Sequence, residues 1–205
     1  MNKNAAATRA SLLAAARSEF AAYGIAGARV DRIAQKAGAN KERIYGHFGS
    51  KELLFDAVVA DALDELSAAV TLDTRSDPAE YVGQIYDFHR NHPDLLRLLM
   101  FETLHYREGK LANERERHLR YQAKIDSLAE AIDRPDSREV ARLLLTLIGL
   151  ASWPTAMPQL ARLILGPETD PEEDSEAMRS FLVRFVEAAI PSVTEPVNTS
   201  AAAES

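Results

Sequence analysis

Between residues 40 and 51 the chain reads NKERIYGHFGSK, which gathers Lys41, Glu42, Arg43, Tyr45 and His47 on one short segment. These side chains suit the edges of nucleic-acid bases. Arg43 has the fork that fits guanine O6 and N7, Lys41 suits guanine or a phosphate, and Glu42 can accept from the amino group of cytosine. Glu42 has a second explanation, since an acid in the first turn of a helix complements the helix dipole. Tyr45 has one as well, as a packing residue. A separate constellation, His89, His92, Glu102 and His105, offers imidazoles and a carboxylate at i, i+3 spacing. Carboxylate-bridged metal bundles need two Glu-x-x-His motifs and two further glutamates, and this chain has one such motif, Glu102 to His105. Its histidines lie near Pro93, where capping is the expected role, so no metal and no other cofactor is expected. There is no P-loop, no Gly-rich dinucleotide fingerprint and no G-x-S-x-G elbow. An enzyme is therefore not expected.

The elements that must position the cationic segment can be read from its flanks. Val30, Ile33, Ala34 and Ala37 fall at helical spacing, and Gly38 ends that helix where a left-handed backbone costs least without a Cβ. Asn40 is a strong N-cap for a second helix over Lys41 to His47, with Ile44 and Phe48 pointing back to the first. Ala34 is small where two helices crossing at a three-residue turn bring their backbones close. Two short helices joined in this way form a helix-turn-helix, which would present Lys41, Glu42, Arg43, Tyr45, Gly46 and His47 to the major groove of DNA.

Charge supports that reading more strongly than spacing does. Residues 1 to 51 hold nine basic and three acidic side chains, a net of +6, whereas the whole 205-residue chain is −7. The remainder therefore carries −13. A basic module on an acidic body can meet DNA productively with one face and is repelled elsewhere.

The first fifty residues resemble the DNA-binding domain of the tetracycline-repressor (TetR-type) family of bacterial transcriptional regulators. The resemblance is carried by LLAAARSEFAAYG at 12 to 24, IAQKAG at 33 to 38 and IYGHFGSKELL at 44 to 54. It implies base contacts from Lys41, Glu42 and Arg43, and backbone or thymine-methyl contacts from Tyr45 and His47. Lys51 follows Ser50 at a helix start, where amides and ammonium can both meet a phosphate. The chain departs from the family in having Ala28 and Arg29 in place of a Thr pair; Arg29 can supply a charge-assisted phosphate contact instead. Ala39 and Asn40 replace the commoner Val and Ser. The DNA-binding set is thus Arg29, Asn40, Lys41, Glu42, Arg43, Tyr45, His47 and Lys51.

Past Lys51 helical periodicity continues, with no alternating run long enough for a convincing strand. Helices are expected from Ser50 through Leu66, from Pro78 to before Pro93, over Asp94–Tyr106, Arg117–Ile132 and Ser137–Trp153, and over Pro171–Ile190, with 107–116 an exposed loop. The fold class is all-α. Three helices over 1–50 form the DNA-binding domain, residues 51–190 a helical effector-binding and dimerisation domain, and 191–205 a disordered tail. Leu143 to Ala161 lacks charge, but Pro154, Pro158 and polar residues interrupt it, so a buried helix ending at Pro154 and a short second helix are expected instead of a membrane span. The absence of cysteine excludes disulfides and thiolate chemistry and fits a reducing cytosol, and with DNA as the partner a cytoplasmic, nucleoid-associated protein is expected.

The resemblance further implies a homodimer built by the last two long helices, here near 137–153 and 171–190, and a palindromic double-stranded operator. It also implies a small-molecule effector held between helices of the second domain. Tyr81, Phe88, Phe101, Glu102, His105, Tyr121 and Trp153 are the candidates to line such a cavity, although aromatic residues at helical spacing serve equally as core. A rival reading is a helical small-molecule carrier whose helix-turn-helix no longer binds DNA. The intact Lys41, Arg43, Tyr45 and Lys51 speak against it.

Overall fold

The computed structural model describes residues 3–106, 109, 111–135, 137–166 and 170–194. Among these it contains ten α-helices and no strand: α1 (Lys3–Gly27), α2 (Val30–Lys36), α3 (Lys41–Phe48), α4 (Lys51–Ala69), α5 (Pro78–Asn91), α6 (Pro93–Tyr106), α7 (Glu114–Ala131), α8 (Ser137–Ala156), α9 (Pro158–Leu165) and α10 (Pro171–Thr194). They gather into two compact units.

The first unit takes in α1 to α4, the end of α5, α6 and the start of α7. Helix α1 is its axis and packs on α2, α4 and α6. Leu12, Ala16 and Phe20 recur every four residues along α1, so they share one face, and all three are fully buried. Phe20 meets Phe55 of α4 edge to face, with ring centroids 5.2 Å apart. Arg17 pairs with both Glu65 of α4 and Asp94 of α6, and Arg97 Nε donates to the Ala21 carbonyl at 2.6 Å. Helix α1 breaks at Gly24, whose φ is +65°. A Cβ there would stand 2.7 Å from the Phe101 ring, so this glycine answers both a backbone and a packing demand. The DNA-binding module expected over 1–50 therefore shares its core with α4 and α6.

In the second unit Tyr81, Val82 and Ile85 of α5, Leu128 of α7, Leu144 and Leu147 of α8, and Leu182 and Val186 of α10 are buried. Arg179 of α10 reaches Asp87 and Glu80 of α5, each at 2.6 Å, lying across Gly83 where a Cβ would meet its guanidinium.

Several boundaries differ from the sequence expectation. Helix α8 runs through Pro154 to Ala156, and α10 runs through Pro191 to Thr194. A proline in a last turn removes one donor near an end that is already losing its ladder, so the helix stops a few residues later. Residues 191–194 of the expected tail are therefore helical, and the rest of it lies outside the described residues. Helix α7 starts at Glu114, three residues early, behind Asn113 at φ +55°. Of the expected loop, residues 107, 108 and 110 lie outside the described set. The short helix α9 is present and turns 81° from α8. No single helix among the described residues is long and apolar enough to cross a membrane.

His89 has 2% of its surface exposed, and its Nδ1 has no hydrogen-bond partner. Burial, with His92 nearby, pushes its pKa down to about 4. Above pH 6.5 the imidazole is neutral in both folded and unfolded chains. Below that the unfolded chain takes up a proton that the folded one refuses, so stability falls until about pH 4, by about 3 kcal/mol in all. His89→Leu is expected to flatten unfolding free energy against pH across this window, and the His89 imidazole signal in the folded chain should titrate near pH 4. Titration near 6.5 would contradict the buried, unpartnered placement.

Candidate nucleic-acid interface

The turn between α2 and α3 is built by short-range hydrogen bonds. Gly38 adopts φ +62°, its amide donates to Gln35 O at 3.2 Å, and the Ala39 amide donates to Ala34 O at 2.9 Å. This pair of bonds closes α2 and satisfies its last carbonyls. Asn40 then caps α3, with Oδ1 accepting from the Arg43 amide at 3.0 Å. Asn40 thus acts on any DNA contact through the start of the helix. Ile44 and Phe48 face inward with Ile33 and Ala34 and are buried with them. That leaves Lys41, Glu42, Arg43, Tyr45, Gly46 and His47 all exposed, as the spacing predicted. After Gly49, Ser50 Oγ accepts from the Leu53 amide at 3.1 Å and opens α4.

Arg29, Tyr45 and Lys51 come together around an open hollow of about 460 Å³, which Asp31, Ser50 and Glu52 also line. Lys51 Nζ lies 3.4 Å from the Ala28 carbonyl, so its ammonium is already held beside this hollow. Ser50 and the first residues of α4, Lys51 and Glu52, line this hollow together. Arg9 of α1 lies over the Phe48 ring, 5.4 Å from its centroid.

Two parts of the site were not found from sequence. Glu19 of α1, 9% exposed, accepts from the Arg29 amide at 2.9 Å and from Arg32 Nε at 2.7 Å, and so ties the entrance of α2 to α1. Burial pushes its carboxyl up, but the Arg32 and Arg29 hydrogen bonds outweigh that and hold it below the usual range. Asp31 of α2 pairs with Lys41 of α3 at 2.5 Å, with both side chains about half exposed. Neither pairing has a local signature, because the partners are ten or more residues apart. Lys41 is consequently a cation with a resident counter-charge.

The candidate effector residues divide between the two units. In the first, Phe88 stacks on His92 at 4.5 Å and Phe101 covers Gly24. Glu102 is buried with both oxygens 2.8 Å from the Arg117 guanidinium, and exposed His105 lies against Tyr106. In the second, Tyr81 is buried, whereas Tyr121 and Trp153 are exposed. His89, His92, Glu102 and His105 do not converge, and no group of three or more metal-ligating side chains occurs among the described residues.

Residues 12–58 match the family model described as bacterial regulatory proteins, tetR family, and residues 77–187 match the tetracyclin repressor-like C-terminal domain. The chain is 37% identical to the HTH-type transcriptional repressor SCO4008 of Streptomyces coelicolor, over 78% of this chain and 84% of that one. It is 30% identical to the HTH-type transcriptional activator FasR of Mycolicibacterium smegmatis, over 70% and 67% respectively. The crystal structure of SCO4942 from Streptomyces coelicolor, a candidate transcriptional regulator, superposes with a TM-score of 0.74 at 34% identity, covering 89% of this chain and 97% of that one.

Removing the counter-charge on Lys41 tests the interface directly. Asp31→Asn is expected to raise affinity for duplex DNA of any sequence several-fold at low salt and to steepen the salt dependence by up to about one unit of slope. Fluorescence anisotropy with two unrelated duplexes would read this; an unchanged affinity would mean that Lys41 does not reach the DNA.

Proposed function

The chain belongs to the tetR family of bacterial transcriptional regulators, and from that premise we propose that it is a homodimeric repressor releasing a palindromic operator when a small molecule binds. Family members are DNA-binding regulators that respond to effectors, typically as dimers. The observation that carries the DNA reading is the division of α3, in which Ile44 and Phe48 are buried and every side chain suited to base edges is exposed. Arg43 is the main reader and Lys51 a phosphate anchor. Repression is favoured over activation by the likeness to the repressor SCO4008, which is greater than the likeness to the activator FasR.

Dimerisation is supported by apolar surface on the second unit. The stripe on α10 splits, with Leu182 and Val186 buried and Phe181 and Phe185 half exposed and stacked at 6.1 Å. On α8, Leu144 and Leu147 are buried, whereas Leu145 is 72% exposed and Trp153 57%. Each helix thus has one face for its own core and another left to a partner, as an isologous interface requires. Helix α9 adds exposed Leu163 and Ile164. Two recognition helices would then read half-sites roughly 34 to 36 Å apart, or a multiple of that. The effector must discriminate between conformations. Shifting an operator-competent population from 99% to 1% needs about 5.5 kcal/mol of differential affinity.

Arg43→Ala is expected to relax preference at one base pair per half-site by roughly 1 to 3 kcal/mol, and Lys51→Ala to weaken all sequences alike and flatten the salt slope by about one. Competition binding with single-base operator variants separates the two effects, and selectivity untouched by Arg43→Ala would contradict the docking. Phe185→Glu should turn a dimer into a monomer in sedimentation at micromolar concentration. A wild-type monomer under the same conditions would defeat the palindrome.

A further inference from the structure

Lys124 occupies a position that the pattern of α7 reserves for an apolar side chain. Tyr121, Lys124, Ile125 and Leu128 fall at i, i+3, i+4 and i+7 and so share one helix face, and Leu128 is fully buried. Lys124 is itself partly buried. Its Nζ donates to the Tyr81 hydroxyl oxygen at 3.1 Å and lies 5.3 Å from the centroid of that ring. These are its polar and aromatic partners among the described residues. Arg17, Arg117 and Arg179, also partly buried, each face at least one carboxylate.

An ammonium withdrawn from water without a counter-charge is destabilising, and one phenol oxygen compensates it only in part. Burial accordingly lowers the Lys124 pKa. Burial, with Tyr121 close by, raises the pKa of Tyr81 to about 12, so its hydroxyl keeps its proton. Because that hydroxyl accepts from Lys124, its own hydrogen is available to a second acceptor. One charge and two convergent donors match the two oxygens and single charge of a carboxylate. A phosphate dianion would call for a second cation.

We propose that Lys124 and Tyr81 form a receptor for the carboxylate of a small organic acid, whose apolar body lies along the Tyr121 and Ile125 side of α7. Lys124 supplies the ion pair and Tyr81 the second hydrogen bond. The proposal rests on the reading of the chain as an effector-responsive regulator and gives that effector a chemical class.

The test is thermal unfolding of the full chain at constant ionic strength with benzoate, octanoate, benzyl alcohol, 1-octanol and inorganic phosphate, in parallel with DNA binding. At least one acid should raise the midpoint by roughly 5 to 10 °C at a hundredfold excess over its Kd, with a clearly smaller shift from its alcohol. Lys124→Met should abolish the acid's advantage while the ligand-free midpoint holds or rises. Tyr81→Phe should weaken the acid about five- to tenfold and leave the alcohol unaffected. Neither acid surpassing its alcohol, phosphate acting as well as the acids, or an acid shift that survives Lys124→Met would each overturn the proposal. So would a collapsed ligand-free midpoint in Lys124→Met, because the ammonium would then be structural. An acid-selective shift without any change in DNA binding would uphold the receptor and defeat only the reading of its occupant as the effector.

Discussion

An eight-residue helix does not hold its shape alone in water, because helix nucleation is costly and so few residues return too little. Everything that α3 does therefore depends on the burial of Ile44 and Phe48. Two apolar residues four positions apart fix one face of the helix, and the remaining positions are released to solvent as a set. The caps act in the same direction: Asn40 sets the first residue of α3, Gly38 sets the angle at which the chain enters it, and Ser50 opens the helix that follows. Base reading requires side chains held to well under an ångström, and here that rigidity comes from packing rather than from the polar residues themselves.

Charge is arranged around this anchor with similar economy. Arg17 and Arg97 bind α1 to the helices behind it, while Glu19 and Arg32 fasten the entrance of α2. Arg17 is matched by carboxylates outside residues 1 to 51, so the net +6 of that segment overstates the charge available to a phosphate. Lys41 is an intermediate case, exposed on the face proposed to meet DNA yet matched by Asp31. Such a pairing trades affinity for discrimination, since contact with the wrong sequence gains less from bare attraction.

What could be read from the sequence was whatever depends on neighbours along the chain. Gly38, Asn40 and the Ile44 and Phe48 spacing are local, and the structure reproduces each of them. The Asp31–Lys41 and Glu19–Arg32 pairs depend on how α1, α2 and α3 pack, which no window of residues contains. Pro154 and Pro191 looked like helix ends because proline removes a donor, yet in a last turn one missing donor is tolerated. The α10 stripe was legible as apolar, but periodicity alone could not say that Leu182 faces its own core while Phe181 faces out. The same limit applied to the second-unit aromatics: Tyr81 is buried, whereas Tyr121 and Trp153, alike in type, are exposed.

Whether α3 reads DNA as one half of a symmetric pair is tested most directly by selection of bound sequences from a random duplex library at two salt concentrations. A palindromic consensus is expected, with half-sites centred one or more helical turns apart and enrichment that is weaker but of the same sequence at the higher salt. Folded, ligand-free protein that enriches no sequence at either salt would contradict it, and would leave a helical small-molecule carrier as the better description of the chain.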